Sequence, residues 1–253
     1  MACKVLCAFL AAFCAAQVMA LPAQVAVQPQ VTEDKGLIAD INAAIKAVNA
    51  LQDSIVALKD QINRSLVVLT VDTAVQIRDI IKQLQDIGIS TEELLAAEAA
   101  INQSLANVEA VFVGIVVDLD NILVLTGQIL SDLGNFNLVQ MARHILDLDE
   151  AFKKLEADAS TIVSRITAEF NNIFDTIIYL TIGEPIEIVQ KITSDVLRIG
   201  QTWSNEGTKL WTAFTAVIDA AAAALDALWN VVSSEEPTTI APKLMALGIR
   251  KHQ

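Results

Sequence analysis

From Leu37 onward the chain places apolar side chains at alternating steps of four and three. Leu37, Ala44, Leu51 and Leu58 recur every seven residues, and Ile41, Val48, Ile55 and Ile62 recur every seven with an offset of four. Asp40, Asn42, Lys46, Asn49, Asp53 and Asp60 fall off that stripe. Such steps keep one side of an α-helix apolar, so the pattern predicts a helix packed along its length against a partner. A second helix is predicted over about 66–87, through Val75, Ile77, Ile80, Ile81 and Leu84. Its start is crowded with β-branched residues between positions 65 and 75, which favour a strand locally. No second strand exists in the sequence to pair with it, so the segment is read as helix.

Breaks punctuate the rest. Gly88 closes the second helix, and Ser90 with Glu93 forms a capping box for the third. The third stripe runs through Leu94, Ile101, Leu105, Val108, Phe112, Ile115, Leu119, Ile122 and Ile129. That predicts a helix of about 40 residues, roughly 60 Å long, with Gly114 and Gly127 as points of bending. Gly134 breaks it, and Asn135 or Asn137 caps the fourth helix, where Leu138, Ile145, Phe152, Ala159, Ile166, Ile173 and Leu180 recur at seven. Gly183 stops the fourth, and Pro185 suits the first turn of a fifth that continues to about Ser233, with Gly200 and Gly207 able to divide it. The expected fold is all-α: an elongated antiparallel bundle of about five long amphipathic helices, occupying 37–233.

Residues 1–20 read differently. Lys4, an apolar run over 5–16 and small residues at Val18 and Ala20 make a secretory signal peptide, too short in its apolar run to span a bilayer. All three cysteines, Cys3, Cys7 and Cys14, lie in it. The chain that follows is therefore expected to be secreted, without a disulfide, and held by its core alone. An extended lead occupies 21–36, and 234–253, with Pro237 and Pro242, is expected to be a flexible tail. The formal charge is −13, and loss of Lys4 with the leader takes it to −14. A chain of that sign is repelled by nucleic acid and by anionic membrane surfaces, so neither is an expected partner. The most apolar run after the leader, 110–117, lies between Glu109 and Asp118, and no integral membrane span is expected.

Reactive chemistry is scarce. His144 and His252 are the two histidines, and His144 with Asp147 one turn later falls short of the three or four protein ligands that zinc takes. Asp118 with Asp120, and Asp147 with Asp149 and Glu150, sit on polar helix faces rather than in an aromatic-lined cleft, so they read as solvated. No catalytic residue, metal site or cofactor is expected. Phe112, Trp203, Trp211, Phe214 and Trp229 lie on or beside apolar stripes, where they serve either core packing or contact with an apolar ligand. Asn63 and Asn102 begin Asn-X-Ser sequons, Asn63 near a predicted turn and Asn102 inside a helix.

A leader followed by an acidic, cysteine-free helix with the 37–62 seam resembles the fungal secreted hydrophobic-surface-binding (cell-wall mannoprotein) family. The overall design is also similar to the exchangeable apolipoproteins of insects. The likeness spans about 37–166, and the Ser/Thr-rich tracts of the fungal group are absent. It implies an all-helical, non-catalytic secreted protein that binds lipids or hydrophobic surfaces. The periodicity also fits an alternative, a structural protein that self-associates through coiled-coil seams into a homo-oligomer.

Overall fold

A computed structural model describes residues 36–234, all in helices and short turns. The expected signal peptide (1–20), the extended lead apart from Gly36, and the flexible tail apart from Ser234 lie outside the described residues. Helix α1 (Leu37–Leu66), a π-helical turn (Val67–Asp72) and α2 (Thr73–Asp86) make one unbroken rod, because the residues at both junctions keep right-handed helical dihedrals. The expected division near residue 66 is therefore absent. Its β-branched crowding is instead accommodated in the π turn. The buried positions Ser65, Leu69, Thr73 and Ile77 advance by three steps of four. On a straight α-helix that rotates the stripe by about 120°, away from the core. The wider turn absorbs the added residue and returns the stripe to the interior. Thr70 and Thr73 donate to the carbonyls of Leu66 (2.7 Å) and Val68 (3.1 Å) there.

The rod ends in a left-handed turn at Gly88 (φ 96°), where the amides of Gly88 and Ile89 bond back to the carbonyls of Gln85 and Leu84. Ser90 then caps α3 (Thr91–Gly134, 44 residues) with the expected reciprocal pair of bonds to Glu93. Neither Gly114 nor Gly127 interrupts it. It ends at Gly134, as expected, but Gly134 does not supply the left-handed residue of the turn. The left-handed position two residues further on is taken by Phe136 (φ 52°), with the amides of Phe136 and Asn137 bonded to the carbonyls of Leu133 and Asp132. Asn137 caps α4 (Leu138–Tyr179), and a turn through Gly183 (φ 93°) leads to α5 (Ile186–Ser234, 49 residues).

Connections this short leave each rod antiparallel to the next. Four rods rather than five result. Polar ties record their register, with residue numbers rising on one rod as they fall on its neighbour. Gln52 meets Thr126 and Lys59 meets Asp120 between α1 and α3; Asn107 meets Glu169 and Asp132 meets His144 between α3 and α4. Ser65 meets Glu206 and Gln83 meets Asp195 between the first rod and α5. The rods thus close a ring: α1 with α5 and α3 with α4 pack most extensively, while α1 with α3 and α4 with α5 touch less. Inside it, the heptad positions of every rod meet, Leu51, Ile55 and Leu58 among them with no exposure at all.

α5 is not divided by glycine. Gly200 instead admits a neighbour: a β-carbon placed there lies 2.7 Å from the Phe170 ring of α4. By length and composition α5 is apolar enough to cross a bilayer, a criterion that a helix with its seam buried in a bundle also meets. Its apolar residues extend beyond one stripe, and a scan for uninterrupted runs such as 110–117 overlooks that.

These backbone details predict stability. Gly127, exposed and unhindered in mid-helix, is expected to gain about 0.5–1 kcal/mol on substitution by alanine. Gly200→Ala is expected to lose about 1–3 kcal/mol despite the same gain in propensity, because Phe170 must move. Phe136→Gly is expected to gain about 1 kcal/mol by relieving the left-handed backbone. Urea unfolding of the three variants against the parent checks all of them.

Candidate apolar-binding site

The ring divides the five aromatic residues expected to contact an apolar ligand. Phe112, Trp203 and Phe214 are interior, with 1%, 4% and 2% of their surface exposed. A ligand outside the closed bundle reaches none of them. Trp211 and Trp229 are only partly buried, so they remain open on one side. Trp203 is held in place: its indole N–H donates to the Thr73 hydroxyl (2.8 Å), and its ring packs 5.5 Å from that of Phe170. Phe170 in turn lies 6.5 Å from Phe174, so an aromatic cluster fills the space between α4 and α5 beside Gly200.

Polar groups inside the bundle are satisfied rather than poised. Glu206 occupies a seam position of α5 and is 5% exposed, yet Ser65 donates to one carboxylate oxygen (2.8 Å) and Lys209 to the other (2.6 Å). Buried Asp118 pairs with Lys154 across the α3–α4 interface. That hydrogen bond holds the Lys154 ammonium above its ordinary value, as Asp149 does for Lys153. His144 meets Asp132 of α3 (2.8 Å), not Asp147 one turn along its own helix. The hairpin between α3 and α4 brings those two together, and no local spacing announced it. Among the described residues, no group of three His, Cys, Asp or Glu side chains is placed to hold a metal.

A groove of about 420 Å³ lies between α3 and α4, lined by Val111 and Ile166 together with Asn107, Arg165 and Glu169. Asn107 donates to Glu169 (3.0 Å) within it, a surface arrangement with no nucleophile and no acid–base pair. One end of the bundle, where both the 87–90 and 180–185 connections lie, exposes Tyr179, Ile182 and Ile186 by 71–73% and Leu95 by 60%. The apolar runs 177–182 and 186–189 flank the second of those connections and so stand together at that end.

The two sequons sit in unbroken helix, Asn63 in α1 and Asn102 in α3. The turn expected beside Asn63 is absent, for the π-turn reason given above. Both asparagines are exposed, but the accompanying Ser65 and Ser104 are 0% and 5% exposed. Comparison with known protein families, with curated proteins and with solved structures finds no match to this chain.

The Ser65–Glu206 pair has a measurable consequence. Ser65→Ala leaves a buried carboxylate oxygen short of a donor and is expected to cost about 1–3 kcal/mol. Adding Glu206→Leu to that variant removes the orphaned charge and is expected to restore most of the loss, as read by urea unfolding of the single and double variants.

Proposed function

We propose that this protein is a non-catalytic binder of lipids or hydrophobic surfaces, acting through amphipathic helices. The observation that carries the reading is the amount of large apolar side chain left uncovered after the bundle has closed. Val56, Val67, Val71, Val75, Val113, Val117 and Val124 are each more than half exposed, in addition to the apolar end formed by Leu95, Tyr179, Ile182 and Ile186. Isolated exposed valines are ordinary on soluble proteins, but convergence of several large side chains at one end is what marks an interaction surface.

The same interior suits rearrangement. Two extensively packed pairs, α1 with α5 and α3 with α4, meet along less extensive interfaces, and the two connections between them lie at one end. Parting the pairs exchanges helix–helix contacts for contacts with apolar ligand, at about 0.8 kcal/mol for each buried methylene. Secretion, expected from residues 1–20, is compatible with this role but is a separate proposition. Self-association through the heptad seams fits less well, since those positions are already buried within the chain. Sidedness also follows from charge: at −13, the protein is repelled by anionic headgroups.

The purified protein is expected to raise the surface pressure of a clean air–water interface and to adsorb to a triolein emulsion. Adsorption to vesicles rich in anionic phospholipid should be much weaker and should strengthen with salt. A protein that leaves both the air–water and triolein surfaces unoccupied does not have this function.

A further inference from the structure

We infer that the outer edge between α4 and α5 is a binding groove for one long, uncharged hydrocarbon chain, lined by Trp211, Ile218, Leu225 and Trp229. This rests on the apolar-binding reading above and assigns it a site and a ligand class. Gly200 marks the flank of α5 that faces α4, because the Phe170 ring lies against it. Trp211, Ile218, Leu225 and Trp229 stand 11, 18, 25 and 29 residues further on. At 100° per residue each falls within about 20° of the Gly200 direction, so all four share its flank. On α4, Phe152 stands 18 residues before Phe170 and returns to the same face. The antiparallel register therefore sets Ile218 level with Phe152.

At Gly200 this flank is filled by the ring of Phe170. Along the rest of it, Trp211, Ile218, Leu225 and Trp229 are only partly buried. The α4–α5 interface is one of the two less extensive contacts of the ring, and the contacts identified across it are aromatic. The contacts identified there that a ligand would replace are apolar, whereas α1 and α2 are tied to α5 by hydrogen bonds through Ser65, Thr73 and Gln83.

Length and charge select the occupant. From Trp211 to Trp229 the strip runs about 27 Å, close to the full hydrocarbon thickness of a bilayer, so it matches a long chain rather than a compact ligand. Asp219 and Asp226 border it, and α5 has no basic residue after Lys209 among those described. On the facing part of α4, Lys153 is paired with Asp149 and Lys154 with Asp118, and Arg143, 27 residues before Phe170, falls on the opposite side of the helix. An ionised fatty acid would meet carboxylates and no free ammonium, so the chain is an uncharged one: an alkane, long-chain alcohol or ester.

Dibromostearyl alcohol, whose bromines quench indole fluorescence on contact, reports the location directly. With the full protein, it is expected to remove most of the emission of Trp211 and Trp229. In the Trp211→Phe/Trp229→Phe variant, the remaining Trp203 should keep its emission. Ionised dibromostearate should bind several-fold more weakly, and Asp219→Lys/Asp226→Lys, at two exposed positions, should narrow that gap. Equal quenching of Trp203 in the double Phe variant places the ligand in the core and overturns the groove while leaving apolar binding intact. A dimer in sedimentation that the alcohol does not dissociate, with no quenching, assigns the face to a second copy and also overturns it. Failure of quenching together with failure to occupy triolein removes both readings at once.

Discussion

Four apolar stripes, none of which can be buried alone, have to cover one another, and every other feature of this molecule is subordinate to that requirement. No cysteine follows Cys14, so no disulfide assists in the described bundle. The connections are also short enough to hold each rod beside the next in sequence. Burial at about 25 cal/mol per Å² of apolar surface is thus the dominant favourable contribution, and helix propensity is secondary. The π turn illustrates the ranking. A local departure from α-helical geometry is tolerated at Val67–Asp72 because it keeps Leu69, Thr73 and Ile77 in the stripe.

Apolar stripes alone specify poorly how far one rod slides along another, since neighbouring registers bury similar areas. Here a small number of buried polar groups supply the distinction. Glu206 finds its partner only when it stands level with Ser65, and the Trp203 indole only when level with Thr73. A slip of one turn leaves the Glu206 carboxylate with Lys209 alone and the Trp203 indole with no partner, at a cost of about 1–3 kcal/mol for each bond lost. Asp118 with Lys154 and Asp132 with His144 do the same between α3 and α4. These contacts sit within the two extensively packed pairs. The α4–α5 interface relies on the shape of Phe170 against Gly200 instead.

That division of labour bears on function. Interfaces pinned by hydrogen bonds resist exchange with a hydrocarbon ligand, which offers no replacement donor or acceptor. Interfaces made of aromatic and aliphatic contact do not, because the ligand replaces like with like. The partly covered tryptophans of α5 and the exposed Tyr179, Ile182 and Ile186 belong to the second kind. His144 is occupied by Asp132, and the buried carboxylates of Glu206 and Asp118 are paired.

Helix content, the capping of α3 by Ser90, the turns at Gly88 and Gly183 and the identity of most core residues were legible in the chain, because each depends on side chains within about two turns of one another. The apolar character of Trp211 and Trp229 was equally legible. What the chain alone left open depends on residues far apart in it. Whether 63–75 bends or runs on was decided by where the stripe must face once α5 lies against it. Whether Gly200 divides a helix or receives a ring was decided by Phe170, thirty positions away on another rod. Which aromatic residues are sealed inside and which remain at an edge was decided by how closely each pair of rods approaches. Local periodicity records that a face is apolar, but only the packed bundle determines how much of that face a neighbouring helix covers.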